Sequence, residues 1–178
     1  HMMKINTFLL FLLFISCSML SQNNNEFIDR QGIVSFFSYT SVENIKAENT
    51  KVLSLFDAAT GELAISMLIR AFVFEKALME EHFNESYIES DLYPKATFQG
   101  VILQLDTSLE EPQTTIIKGI FTLHGKSKEV EVKTTIEKIE NGYKFSGDLE
   151  LEVKDFDINI PLLLKPNIAE KINIKNVI

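Results

Sequence analysis

The chain has 178 residues, 46 % of them hydrophobic, with 14 Phe, no Trp, one Cys and a formal net charge of −8. That length and composition predict one globular domain whose core can form without disulfides. The acidic balance argues against a nucleic-acid partner, which needs clustered Lys and Arg, and against docking on an anionic membrane through a basic patch.

His1 and Met2 read as a remnant ahead of the start residue Met3. Lys4 then precedes an apolar run from Ile5 to Ile15. One positive charge, roughly ten apolar residues and then small polar ones make the layout of a secretory signal. The run is shorter than the about 20 residues of a membrane span. Cys17 follows Ser16 at the end of this run, in "FISC". The stretch resembles a lipoprotein box, in which Cys17 would be lipidated and become the first mature residue. Ordinary cleavage near "MLSQ", leaving Gln22 first, is the alternative. Either way the mature domain has no cysteine pair for redox or thiolate-metal chemistry. The expected division is remnant and signal over 1–21, a tether over 22–31 and one domain over 32–178.

Strand signals follow. Gly32 to Thr40 is rich in β-formers, and Thr50 to Asp57 is the next such run. A short turn at Asp57–Gly61 leads into a stretch where Leu63, Ile65, Met67 and Ile69 alternate, which predicts a hairpin. The period then changes. Phe74, Leu78 and His82, and Met79 and Phe83, recur at spacings of four, as on the buried face of a short amphipathic helix. An irregular linker runs to Pro94.

Strands resume at Ala96–Asp106, with Val101, Leu103 and Leu105 on one side, and at Thr114–Gly125, with Ile117, Phe121 and Leu123 on one side. In Ser127–Ile139, Val130, Val132, Thr134 and Ile136 stand opposite Glu129, Glu131, Lys133 and Thr135. Asn141-Gly142 signals a hairpin into "YKFSGDLELEV", where Tyr143, Phe145, Gly147, Leu149, Leu151 and Val153 form one dry face. Glu170–Ile178 reads as a last strand. About eight strands with short connections and no crossover helices imply an antiparallel sheet, either a sandwich or a closed barrel.

Catalytic patterns are absent. "GIFTLHGKS" has one residue too many for a phosphate-binding loop, and no helix follows it. There is no Gly-x-Ser-x-Gly elbow. His82 and His124 are far apart in sequence and have no metal-ligand spacing. His82, beside Leu78 and Phe83, reads as a histidine near the core or as a polar handle for a ligand headgroup. His124 reads as a turn residue. No catalytic residue, metal or cofactor is assigned.

Four stretches carry a resemblance: "SDLYPKATFQG" (Ser90–Gly100), "GIFTLHGKSKEVEV" (Gly119–Val132), "DFDINIP" (Asp155–Pro161) and "GIVSFFS" (Gly32–Ser38). Together and in this order they are similar to the signatures of the YceI-like proteins. The linker "ALMEEHFNESYIES" looks like a version found in envelope proteins of Bacteroidetes-type bacteria. The resemblance implies an all-β, eight-stranded antiparallel lipocalin-like barrel with one short helical insert, located in the periplasm or cell envelope. It also implies an apolar interior that holds an isoprenoid lipid such as a polyprenyl quinone. On that expectation the lining is Phe121, Leu123, Val132, Phe145, Leu149 and Leu151, with Leu78, Met79 and Phe83 as a lid and His82 as the headgroup contact. Membrane attachment would come only through Cys17, and the reading leaves room for a homodimer. The rival expectation is an interaction module whose barrel is plugged by its own Phe side chains.

Overall fold

The computed structural model describes residues 25–38 and 45–159. The expected signal, Cys17 and the expected strand Glu170–Ile178 lie outside those residues. Eight strands are described: β1 (Glu26–Ser38), β2 (Ile45–Asp57), β3 (Glu62–Leu68), β4 (Val73–Phe74), β5 (Lys95–Val101), β6 (Gln113–Leu123), β7 (Lys126–Ile139) and β8 (Gly142–Asp148). Helix α1 (Ala77–His82) continues into a π-helical turn at Phe83–Tyr87. The ladder runs β1-β2-β3-β5-β6-β7-β8, every pair antiparallel, with β4 added to the start of β2. The result is the expected all-β, nearly closed barrel with one helical insert. Among the described residues no helix is long and apolar enough to cross a membrane.

Period-two burial builds it. Val130, Thr134 and Ile136 of β7 point inward while Glu129, Glu131 and Lys133 point out. The dry face of β8 is also observed: Tyr143, Phe145, Leu149 and Leu151 are all buried. Regular pairing of β8 nevertheless stops at Asp148, and Leu149–Glu152 runs on outside any strand into a 3-10 turn at Val153–Phe156. β1 begins at Glu26, inside the expected tether, and carries two register shifts around Gly32. Such bulges bend a strand and increase its twist, which a closing sheet requires.

β5 differs from expectation. Val101 faces outward and Leu103, just past the strand, is 79 % exposed, while Leu105 is partly buried against the core. The inner positions are Ala96, Phe98 and Ile102. The reason lies in two facing glycines, Gly100 of β5 and Gly119 of β6. A Cβ on either would stand 2.8 or 2.7 Å from Cζ of Phe98, whose ring lies over both. Phe98 thus covers backbone that has no side chain of its own, and this sets the inward face of β5.

The registers sort the connections to two ends of the barrel. One end holds the starts of β1, β3, β6 and β8 and the β7–β8 turn. The other holds the ends of β1, β3, β6 and β8, and therefore the insert between β3 and β5, the β6–β7 turn and the segment after β8. The first end is packed with rings. Phe56 of β2 lies 4.9 Å from Phe145 and 5.3 Å from Tyr143, and Phe27 of β1 lies 5.3 Å from Tyr143 edge-on. These contacts join β1 and β2 to β8, and the Phe27–Tyr143 pair links the two end strands of the ladder. Edge-to-face pairs add about 0.5–1.5 kcal/mol each beyond the area they bury.

Candidate functional site

A hollow of about 50 Å³ lies between the ends, inside the barrel. β3 contributes Leu63, Ile65 and Met67; β5 contributes Phe98; β6 contributes Ile117 and Phe121; β7 contributes Val132 and Thr134; Gly147 and Leu149 complete the wall. Thr134 is the one polar side chain in this wall, and its hydroxyl donates to the carbonyl of Val132 at 3.1 Å. With its polar group satisfied, the wall offers a guest only apolar contact. The hollow has room for a few waters and is far smaller than a long-chain lipid. Any larger guest requires side chains to move.

Of the expected lining, Phe121, Val132 and Leu149 border this hollow. Phe145 belongs to the ring cluster at the first end, and Leu123 and Leu151 are buried elsewhere in the core. Leu63, Ile65, Met67, Phe98, Ile117 and Thr134 were not expected to line a site. The alternation over Leu63–Met67 was the signal that pointed to three of them.

The insert corrects the expected helix face. Phe74 lies in β4, ahead of α1. Met79 and Phe83 pack against the core, but Leu78 is 62 % exposed and His82 is exposed. Spacings of four describe two rows on a helix, Leu78–His82 and Met79–Phe83, about 100° apart, and a short helix lying on a barrel can bury only one of them. Phe83 wins because its ring lies 5.4 Å from Phe36 and 4.9 Å from Phe74. His82 therefore does not reach the interior.

His124 takes the buried position instead. His124-Gly125 is the two-residue loop between β6 and β7, with φ of 51° and 71°. Positive φ at both central residues is the type I′ turn that suits a hairpin's twist. The imidazole is buried and tied to two other segments. Nδ1 lies 2.9 Å from the carbonyl oxygen of Phe156, and Nε2 lies 2.8 Å from Oε2 of Glu89. A carbonyl only accepts, so Nδ1 donates to it; the contact with Glu89 then needs its own proton, on Nε2 or on the carboxyl. Tyr93 packs edge-on against the imidazole at 4.5 Å.

Phe156 is fully buried, 5.8 Å from Phe121 of the hollow's wall. On either side of it, Asp155 pairs with Lys128 and Asp157 pairs with Lys126 at 3.1 Å. The residues from Leu149 to Asp157 thus form a strap across this end. Among the described residues, the non-glycine residues with positive φ are Glu89, His124 and Asp157. All three belong to this one cluster. Each such conformation costs about 1–2 kcal/mol and persists where the surroundings hold it. Neither Glu89 nor Phe156 was singled out from the sequence. Phe156 lies in the quoted "DFDINIP", whereas nothing in the local pattern around Glu89 announces its partner 35 residues away.

Among the described residues no group of three or more His, Cys, Asp or Glu is placed to hold a metal ion. The geometry is that of an antiparallel barrel with an apolar interior and covered ends, the lipocalin-like class. The YceI-like domain family model matches residues 26–178, and the chain belongs to that family. Its fold is similar to that of a polyisoprenoid binding domain from Saccharophagus degradans implicated in plant cell wall breakdown, with a TM-score of 0.72, 11 % identity, and 86 % of this chain and 95 % of that one covered. It is also similar to Burkholderia cenocepacia BcnA, with a TM-score of 0.70, 19 % identity, and 85 % and 98 % covered. The Campylobacter jejuni YceI protein matches with a TM-score of 0.59, 18 % identity, and 79 % and 86 % covered. No curated protein matches the chain.

Proposed function

We propose that this protein binds an isoprenoid or another long-chain apolar lipid inside its barrel, as a carrier or store and without catalysis. The observation that carries the reading is the hollow walled by Leu63, Ile65, Met67, Phe98, Phe121 and Leu149, inside a YceI-like barrel. The likeness to a polyisoprenoid binding domain supports it. Each methylene taken from water contributes about 0.8 kcal/mol, less the cost of ordering the chain. A polyprenyl quinone is one guest of this class.

We further propose that the protein acts in the periplasm or cell envelope. Lys4, the apolar run Ile5–Ile15 and Cys17 support export, with lipidation at Cys17 as the route to a membrane anchor. The linker Ala77–Ser90 is the support for a Bacteroidetes-type origin. A homodimer is compatible with this reading.

The ring clusters favour a second reading. With Phe27, Phe56, Tyr143 and Phe145 at one end and Phe36, Phe72, Phe74 and Phe83 at the other, a barrel filled by its own side chains would serve as an interaction module. Organic extraction of the full chain purified from a diderm host, followed by mass spectrometry, separates the two. The lipid reading expects a stoichiometric isoprenoid or long-chain species. An empty extract, together with no fluorescence change on adding retinol, supports the plugged barrel.

A further inference from the structure

We infer that His124 is a latch holding the insert and the strap together over one end of the barrel, and that guests pass between these two covers when it releases. The inference rests on the lipid-binding reading above for what passes, but not for the latch itself. The hollow is about 50 Å³, far smaller than a lipid chain, so a lipid cannot be accommodated without a movement. The strap is the cover that leads directly to the wall. Leu149 at its start borders the hollow, and Phe156 near its end packs on Phe121, which also borders it.

What holds the strap at its far end is mostly polar and near the surface. Lys126–Asp157 is an exposed pair, and Lys128–Asp155 is partly exposed. Phe156 is the apolar anchor, and its carbonyl is bound by His124. The same imidazole binds Glu89 of the insert. One side chain on the β6–β7 hairpin thus ties both covers, and losing it removes a tie from each. The left-handed backbones of Glu89 and Asp157, one on each cover, fit this role, because local strain there favours release once the ties are cut. The insert has a second attachment at Phe83, packed on Phe36, Phe72 and Phe74, which leaves that side as the hinge.

The test is His124→Asn in the full chain. Asn-Gly is the preferred type I′ pair, so the hairpin is kept while both ties are lost. Retinol, an isoprenoid whose fluorescence rises in apolar surroundings, is the probe. A latch predicts association and dissociation rates each raised at least fivefold with the equilibrium constant changed less than threefold, because the wall is untouched. Amide exchange across Leu149–Asp157 should rise at least tenfold, with that of β2 and β7 unchanged. Glu89→Gln should show a smaller rise, confined mainly to the insert. Unchanged retinol rates together with unchanged strap exchange would overturn the latch and leave lipid binding standing. If retinol binds neither protein, the lipid reading fails, and the exchange measurement alone decides the latch: a tenfold rise keeps it and no rise removes it. A slowing of exchange everywhere, or a loss of the circular dichroism of the sheet, would also overturn it, since a latch acts only locally.

Discussion

The two ends of this barrel are closed by different physics. At the end where β1 starts, Phe27, Phe56, Tyr143 and Phe145 meet ring to ring and join the edges of the ladder. At the other end rings also pack, with Phe83 of the insert on Phe36, Phe72 and Phe74, but the insert and the strap are tied to each other by a histidine, a glutamate and a backbone carbonyl, and the strap to the β6–β7 hairpin by two lysine–aspartate pairs. Apolar packing is non-directional and hard to undo one contact at a time, whereas a short set of discrete polar ties, most of them partly exposed, breaks and re-forms at modest cost. A barrel that must admit a guest can keep its seam in rings and its entrance in polar ties.

The largest effect that tests this contrast is at the ring-packed end. Phe56 is among the largest fully buried side chains and touches Phe27, Tyr143 and Phe145. Phe56→Ala should cost about 3–5 kcal/mol in urea unfolding, as expected for a buried Phe whose cavity collapses only in part. A cost below about 1 kcal/mol would mean that the rings do not hold the seam, and the contrast between the ends would disappear.

At the latched end, Lys126→Ala removes the pair with Asp157, in which the two side chains are 54 % and 69 % exposed. Exposed pairs are worth about 0–1 kcal/mol, so global stability should shift by less than that. Strap amide exchange should quicken modestly in the same variant. A destabilisation as large as that of Phe56→Ala would show that the polar end is no easier to open than the other.

How much of this could be read from the chain depends on the range of the interaction. Period-two alternation is local, so the inward faces of β3, β6, β7 and β8 follow directly from Leu63–Met67, Ile117–Leu123, Val130–Ile136 and Tyr143–Leu151. β5 was misread because its inward face is set by Phe98 covering two glycines on neighbouring strands, a pairing that alternation does not encode. The helix was half legible. Spacings of four found it, but only packing against Phe36 and Phe74 chose the Met79–Phe83 row over Leu78–His82. The cluster at His124 was the least legible part. Its members come from the insert, a turn and a strap far apart in the chain, and a histidine in a His-Gly turn looks like an ordinary surface residue until the fold buries it. The hollow's walls were partly legible because apolar strand faces converge in any barrel, but the strand positions that border empty space depend on how the rings at each end fill theirs.

The smallest expected effect lies in the loop between β5 and β6, at the ring-packed end, and asks whether that end has a titratable tie of its own. The Asp106 carboxylate accepts hydrogen bonds from the Ser108 hydroxyl at 2.6 Å and the Ser108 amide at 3.0 Å. The Asp106 amide and carbonyl are in turn bridged by the Gln113 side chain at 3.1 and 2.7 Å. Both Ser108 donors favour the ionised form, the hydroxyl more than the amide, and hold the carboxyl below its usual value of 3.8. A depressed folded-state value means that this turn contributes its full stability above about pH 3.8 and loses it only as the pH falls through the lower folded value. The group is fully exposed, so the effect is confined to the loop. Carboxyl-carbon NMR should find Asp106 titrating below 3.8 in the wild type and moving upward in Ser108→Ala. Equal titration in the two proteins would show that the serine does not hold the turn. The first end would then rest on its rings alone, and its contrast with the latched end would be sharper.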